Sequence, residues 1–189
     1  LKKGLDAYKV GDYATTLKEW RPLAEKGHVG AQVLLGALYR DGIGVLQDYQ
    51  EAVKWFRLAA EQGQREAQYN LGLIYYYGYG ELQDYKEAVK WFRLAAEQGH
   101  DNAQYNLGTI YKNGKVVTQD YQEVIKWYRF AAKQGHAQAQ ESLGLMYDQG
   151  NGVLQDFKEA VKWYRLAAEQ GLSSAQHKLG IMYNIGEGV

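Results

Sequence analysis

Four tryptophans, Trp55, Trp91, Trp127 and Trp163, recur every 36 residues. Each stands in a stretch that also holds a lysine, an arginine and at least one glutamate, such as Glu51, Lys54, Arg57 and Glu61 around Trp55. A ladder of indoles could stack bases or a peptide. Paired carboxylates could exchange protons with a substrate if one pocket held both. His28, His100 and His136 each follow a repeated glycine, and His177 is a fourth imidazole. Gly-x-Gly turns could in principle cradle a phosphate.

Each chemical reading meets a physical obstacle. The tryptophan register lies beside an apolar stripe, so the rings are expected to fill the space between neighbouring copies. Glu51 to Lys54 and Arg57 to Glu61 have the i,i+3 and i,i+4 spacing of ion pairs on a solvated helix face, where each pair contributes a few tenths of a kcal/mol. Copies of one histidine register are about a helix-packing distance apart, roughly 10 Å. A metal needs its donors about 2 Å away, so no shared metal site is expected. No serine or threonine shows a nucleophile pattern. The Gly-x-Gly turns follow a helix and lack Lys-Ser/Thr, which argues against a phosphate loop. The expectation is no catalytic residue, no cofactor and no metal.

Composition narrows the field further. Lys+Arg 22 balance Asp+Glu 22, so no basic field favours nucleic acid. Cysteine is absent, which excludes disulfides and thiolate sites. No apolar run approaches the ~18 residues of a membrane span. The chain begins at Leu1, and a removed export signal stays open as a reading.

The 36-residue period runs nearly the whole chain. Asp12, Asp48, Asp84, Asp120 and Asp156 keep it, as do Gly27, Gly63, Gly99, Gly135 and Gly171. Leu35, Leu71, Leu107, Leu143 and Leu179, each followed by glycine, and Tyr39, Tyr75, Tyr111, Tyr147 and Tyr183 share it. Each copy predicts two helices. The first is N-capped by the aspartate, with Glu51, Glu87, Glu123 or Glu159 completing a capping box, and ends at the glycine. The second, Ala67 to Gly78 in one copy, carries an inner stripe of Ala67, Leu71, Ile74 and Tyr75. Gly72 in a helix interior predicts a close approach there, by another backbone. Pro22 predicts a kink or early end of the first capped helix. Val116 and Thr118 depart from the Gly-x-Gly-Val-Leu-Gln turn and predict an altered turn.

The words AxxxLGxxYxxG and DYxEAxxWYRxAAEQG, with their period, resemble the SEL-one-like repeat (SLR) family of the tetratricopeptide (TPR) superfamily. Tyr8 to Tyr13 looks more like plain TPR. The resemblance implies an all-α, right-handed superhelical solenoid of antiparallel helix pairs. It implies an array with an N-terminal unit at 1–27, SLR units at 28–63, 64–99, 100–135 and 136–171, and an incomplete unit at 172–189. It further implies a non-catalytic adaptor that binds a protein or peptide in a concave groove, in a bacterium and with periplasmic or secreted placement favoured. Two rivals remain: a cell-envelope hydrolase or β-lactam-binding protein of the SLR type, and a helical-repeat RNA binder.

Comparing the copies separates positions the fold locks from positions left free. The free registers of the second helix, Glu66, Tyr69, Asn70, Leu73, Tyr76 and Tyr77, fall on one helical face. The resemblance places that face along the groove. The partner-binding expectation is therefore Glu66, Tyr69, Asn70, Leu73, Tyr76, Tyr77 and Tyr79 in one copy. It continues with Asn102, Tyr105, Asn106, Thr109 and Lys112 in the next, then Glu141 and Leu145. No Lys/Arg cluster for clamping a peptide carboxylate is expected. Leu1 to Val10 predicts a capping helix. The first copy, with Glu19 and Trp20 in place of the usual Trp-aromatic pair, is expected to be less buried on one side. The stripe of Leu179, Met182 and Tyr183 predicts partial exposure or self-association.

Overall fold

The protein is described here from a computed structural model covering residues 1–114 and 117–188. Its described residues form eleven helices and no strand. These are α1 (Lys2–Lys9), α2 (Tyr13–Glu25), α3 (Val29–Asp41), α4 (Tyr49–Glu61), α5 (Arg65–Tyr77), α6 (Tyr85–Glu97), α7 (Asp101–Asn113), α8 (Tyr121–Lys133), α9 (Ala137–Gln149), α10 (Phe157–Glu169) and α11 (Ser173–Ile185). Even-numbered helices are the Asp-capped type and odd-numbered ones from α3 onward the Leu-Gly type. Two compact units result, α1 to α6 (Leu1–Gln98) and α7 to α11 (from Gly99).

Local chemistry explains the boundaries. Asp48, Asp84, Asp120 and Asp156 each accept two backbone N–H bonds, from the second and third residues after them. The reciprocal half of the expected capping box is missing. The Asp48 backbone N–H donates instead to the Tyr39 carbonyl at 2.9 Å, so Glu51 finds no free donor there and pairs with Lys54 at 3.1 Å. Lys90–Glu87, Lys126–Glu123 and Lys162–Glu159 repeat the pair in solvent. The turn glycine Gly63 has φ +86°, the left-handed residue the helix end requires. In the returning loops, Gln47, Gln83, Gln119 and Gln155 donate their amides to carbonyls of Arg40, Tyr76, Lys112 and Asp148. The turn that Val116 was expected to alter lies outside the described residues.

The Leu-Gly helix packs on the next capped helix through its glycine. A Cβ on Gly72 would stand 2.5 Å from the Phe92 ring, and Gly36, Gly108 and Gly144 meet Phe56, Tyr128 and Tyr164 in the same way. The partner is an aromatic ring, not the backbone expected, because the capped helix turns its most deeply buried aromatic side chain to this point. Phe56, Phe92, Tyr128 and Tyr164 are all at most 2% exposed.

A second set of contacts repeats alongside. The buried Gln32, Gln68 and Gln140 donate to the carbonyls of Ala24, Ala60 and Ala132 at 3.1 Å. The carbonyls of Gln32, Gln68, Gln104 and Gln140 in turn accept from Gln62, Gln98, Gln134 and Gln170 at 2.7–2.8 Å. Each buried amide in this relay thus finds partners.

Two expectations change. Arg57 does not pair with Glu61; its guanidinium donates to the Tyr75 hydroxyl, and Arg21–Tyr39, Arg129–Tyr147 and Arg165–Tyr183 repeat this bond. Tyrosine is therefore held at that register partly by a hydrogen bond. Pro22 does not end α2 early: the helix has 13 residues, as does α4, and Pro22 lies on its exposed side. The first copy is less buried on one side, as its residues suggest: α2 buries Thr16, Trp20 and Ala24, where α4 buries Ala52, Val53, Trp55, Phe56, Ala59 and Ala60. Trp20 itself is 1% exposed, because Gly4 of α1 lies against its ring and its Nε1 donates to the Leu1 carbonyl. At the last helix Tyr183 is exposed, but Met182 is buried against α10.

Gly72→Ala should lower stability by about 1–3 kcal/mol, since the buried Phe92 ring has no room to yield. Gly180→Ala, with no neighbouring atom within 4 Å of its Cβ, should be neutral or stabilise by up to about 1 kcal/mol. Urea unfolding of both variants checks the pair.

Candidate functional site

The tryptophan ladder is core. Trp55, Trp91 and Trp127 are at most 8% exposed. Lys54, Lys90 and Lys126 cover their rings at 5.2, 5.4 and 4.8 Å. The histidines serve as helix caps. Nδ1 of His28, His100 and His136 accepts the backbone N–H of Ala31, Ala103 and Ala139 at 3.2–3.3 Å. Among the described residues no group of His, Asp or Glu could hold a metal ion.

In the first unit, five tyrosine rings run in unbroken contact. Tyr49 stacks on Tyr79 at 5.2 Å, Tyr79 on Tyr77 at 5.4 Å, Tyr77 meets Tyr76 edge-on at 5.0 Å, and Tyr76 meets Tyr85 at 5.3 Å. Tyr77, Tyr79 and Tyr85 are 55%, 45% and 39% exposed, which is high for rings of this size. Three helices and one loop position them. The C-terminal turn of α5 and its Gly-x-Gly loop supply Tyr76, Tyr77 and Tyr79. The first helical positions of α4 and α6 supply Tyr49 and Tyr85. Gly80 has φ +69°, and a Cβ there would stand 2.3 Å from the Tyr49 Cβ, so glycine is what lets the loop lie on α4.

Beside the stack opens a cavity of about 180 Å³ lined by Arg40, Asp41, Gln47, Tyr49, Asn70, Leu73, Ile74, Tyr77 and Tyr79. Arg40 is fixed there. Nε and Nη2 donate to Asp41 at 2.7 Å each, and Nη1 donates to the Asn70 amide oxygen. The guanidinium hydrogen-bonded to it holds the Asp41 carboxyl below the usual carboxylate range. A larger hollow of about 420 Å³ lies along α4, lined by Lys54, Arg57, Glu61 and others. Its charged registers are nearly the same in every copy, whereas Arg40, Asp41, Tyr76 and Tyr77 occupy registers that change from copy to copy.

The expected site residues divide accordingly. Leu73, Tyr77 and Tyr79 line the cavity, and Tyr76 joins the ring chain. Tyr69 lies over Phe92 at 5.9 Å, half-buried. Glu66 is exposed one turn before Asn70. Asn70 is not on an open face: it is 3% exposed, and its Nδ2 donates to the Glu66 carbonyl. Arg40 reaches across from α3 and covers it.

In the second unit Asn102, Tyr105 and Thr109 gather around buried rings. Tyr105 stacks between Tyr128 at 5.6 Å and His136 at 4.7 Å. The Thr109 hydroxyl donates to the Tyr105 carbonyl and lies 3.1 Å from the Tyr128 hydroxyl. Burial pushes the Tyr128 phenol up to about 12. Nε2 of His136, carrying the proton of the neutral ring, donates to the Asn102 oxygen at 3.2 Å. Asn106, Lys112 and Glu141 are half-buried, and Leu145 packs against the Ala160–Tyr164–Met182 cluster, so it belongs to the core.

Arg40 and Asp41 sit on the free face of the first copy's second helix, where comparison of the copies puts them, whereas Gln47 and Tyr49 escaped the sequence expectation for the site. Tyr49 reads as core because the same register holds an aromatic in every copy. The signal that could have found it is the glycine facing it: Gly44, Gly80 and Gly152 meet Tyr13, Tyr49 and Tyr121 alike.

The Sel1 repeat matches residues 29–64, 65–100, 101–136, 137–172 and 173–189. The chain therefore belongs to the Sel1 repeat family, whose members are generally non-enzymatic scaffolds for protein interaction. A protective antigen of uropathogenic Escherichia coli displaying an SLR fold is 43% identical over 93% of this chain, with a TM-score of 0.91. A Sel1 repeat protein from Oxalobacter formigenes is 39% identical over 98% of this chain, with a TM-score of 0.93. This chain spans 38% of the former's length and 76% of the latter's. Cysteine rich protein B of Helicobacter pylori is 25% identical over 70% of this chain and 96% of its own, with a TM-score of 0.56. No curated protein sequence matches the chain. No described helix is long and apolar enough to cross a membrane.

Burial lowers the pKa of His136, with Asp101 acting the other way. The unfolded chain then takes up a proton at higher pH than the folded one, so stability is full above about pH 6.5 and falls as pH drops below it. His136→Asn keeps a side-chain acceptor for the cap. It should lose less stability than the wild type when urea midpoints at neutral and mildly acidic pH are compared.

Proposed function

We propose that the chain is a non-catalytic adaptor that holds an extended segment of a partner protein along the changing face of its Leu-Gly helices, on the concave side such arrays offer. The observation that carries the reading is the tyrosine-walled cavity between Arg40 of α3 and Tyr77 of α5. Tyrosine is a favoured residue at binding hot spots, because it brings a large rigid ring and a hydroxyl at small entropic cost. At about 180 Å³ the cavity falls below the roughly 300–1,000 Å³ of small-molecule sites, and fits one side chain of a longer ligand. The Arg40–Asp41 pair carries no net charge, so affinity rests on ring contact and hydrogen bonds.

Peptides selected from a displayed random library on the wild-type protein should bind Tyr77→Ala/Tyr79→Ala about tenfold or more weaker. Both rings are largely exposed, so the unfolding midpoint should stay unchanged. Selected peptides that bind the double variant as tightly as the wild type refute the site.

A further inference from the structure

We infer that the segment this site takes is proline-rich and held as a polyproline II helix; the inference rests on the binding reading just given. It comes from what the ring chain and the cavity offer a ligand.

The surface is rich in unused donors. Tyr49 already accepts from Gln47 Nε2 at 3.1 Å, which leaves its own O–H free to donate. The hydroxyls of Tyr77 and Tyr79 bond nothing else among the described residues. Arg40 uses three of the five N–H groups of a guanidinium, which leaves two for a ligand. Side-chain acceptors nearby are fewer: the Asp41 carboxylate and the Asn70 oxygen both serve Arg40, while the Gln47 amide oxygen is uncommitted among the described residues. Burial together with the Tyr77 and Tyr85 phenols raises the pKa of Tyr76, so this part of the chain stays protonated.

A ligand that complements a surface richer in donors than in acceptors is one with carbonyls but few N–H groups. Among peptide segments that describes proline, whose nitrogen carries no hydrogen. A β-strand partner would bring one N–H per residue and find no acceptor row here. An acidic segment would meet Asp41 and Glu66 as well as Arg40. The rings make the same choice. Tyr79 is stacked between Tyr49 and Tyr77, so the three rings present their edges and outer faces beside Leu73 and Ile74. Pyrrolidine rings pack against such aromatic walls, and an aromatic-lined groove is how polyproline II segments are commonly recognised. A proline-rich chain is also already extended, so binding orders little that was free.

The test is calorimetric titration of the intact chain with acetylated, amidated decaproline and with an alternating Ala-Pro peptide, against a Gly-Ser peptide of equal length. The proline peptides should bind and the Gly-Ser peptide should not. Affinity should fall about tenfold or more in Tyr77→Ala/Tyr79→Ala and less in Tyr77→Phe/Tyr79→Phe, which keeps the rings and removes two donors. It should change little between low and high salt, since no net charge is paired. No proline binding to the wild type, or binding that survives the double alanine change, overturns the inference. If library peptides without proline bind and depend on Tyr77 and Tyr79, the proline assignment fails and the site stands. If no peptide depends on those tyrosines, both fail.

Discussion

The pairing of each Leu-Gly helix with the capped helix that follows it turns on the absence of one methyl group. Gly36, Gly72, Gly108 and Gly144 leave a flat spot on a helix, and an aromatic ring from the following capped helix fills it. That contact lets two helices with alanine-rich inner faces come close. Ala52, Ala59, Ala67, Ala88 and Ala95 are fully buried beside it. At such spacing the buried glutamines come within hydrogen-bond reach of the next helix end, so a polar group can sit in the joint without being orphaned. The relative named for its cysteines is a contrast in composition alone. This chain has none, and its joints are made of volume and amide bonds.

Function, on this view, belongs to the joints. Arg40 and Asp41 occupy the registers that Tyr76 and Tyr77 occupy one copy later, and Arg40, Asp41 and Tyr77 line the same cavity. A single copy holds only half of such a wall. The loop glycine Gly80 brings Tyr79 onto Tyr49, an aromatic that caps the start of α4 and would otherwise be an ordinary scaffold residue. The same device that seats the loop therefore aligns the rings.

The repeat made much of this legible. Caps, stops and the inner stripe were readable because five copies agreed on residues whose local physics is strong. Aspartate caps, glycine turns left-handed, and leucine recurs at helical spacing. Variation was a weaker guide. It marks positions the scaffold does not dictate, which is a different property from exposure: Asn70 varies and is buried, because Arg40 varies with it and lies over it. Leu145 varies and is core, since another apolar residue would serve there too. The glutamines of the relay keep the 36-residue period, but being polar and adjacent to the stripe they read as surface rather than as buried partners of one another. The arginine–tyrosine bonds span 18 residues, beyond any pattern that neighbouring side chains on one helix produce.

The relay also constrains how such a chain can lengthen. The amides of Gln62, Gln98, Gln134 and Gln170 each reach an acceptor 30 residues earlier, on the helix before, and those of Gln32, Gln68 and Gln140 a carbonyl eight residues earlier. Splicing in or excising a whole 36-residue block regenerates each junction unchanged. A block of any other length strands one buried amide and sets a side chain where a ring needs to enter. Genetic duplication in register is thus nearly free of structural penalty, while drift in length is not. Arrays of this kind can diversify their binding faces by shuffling complete copies.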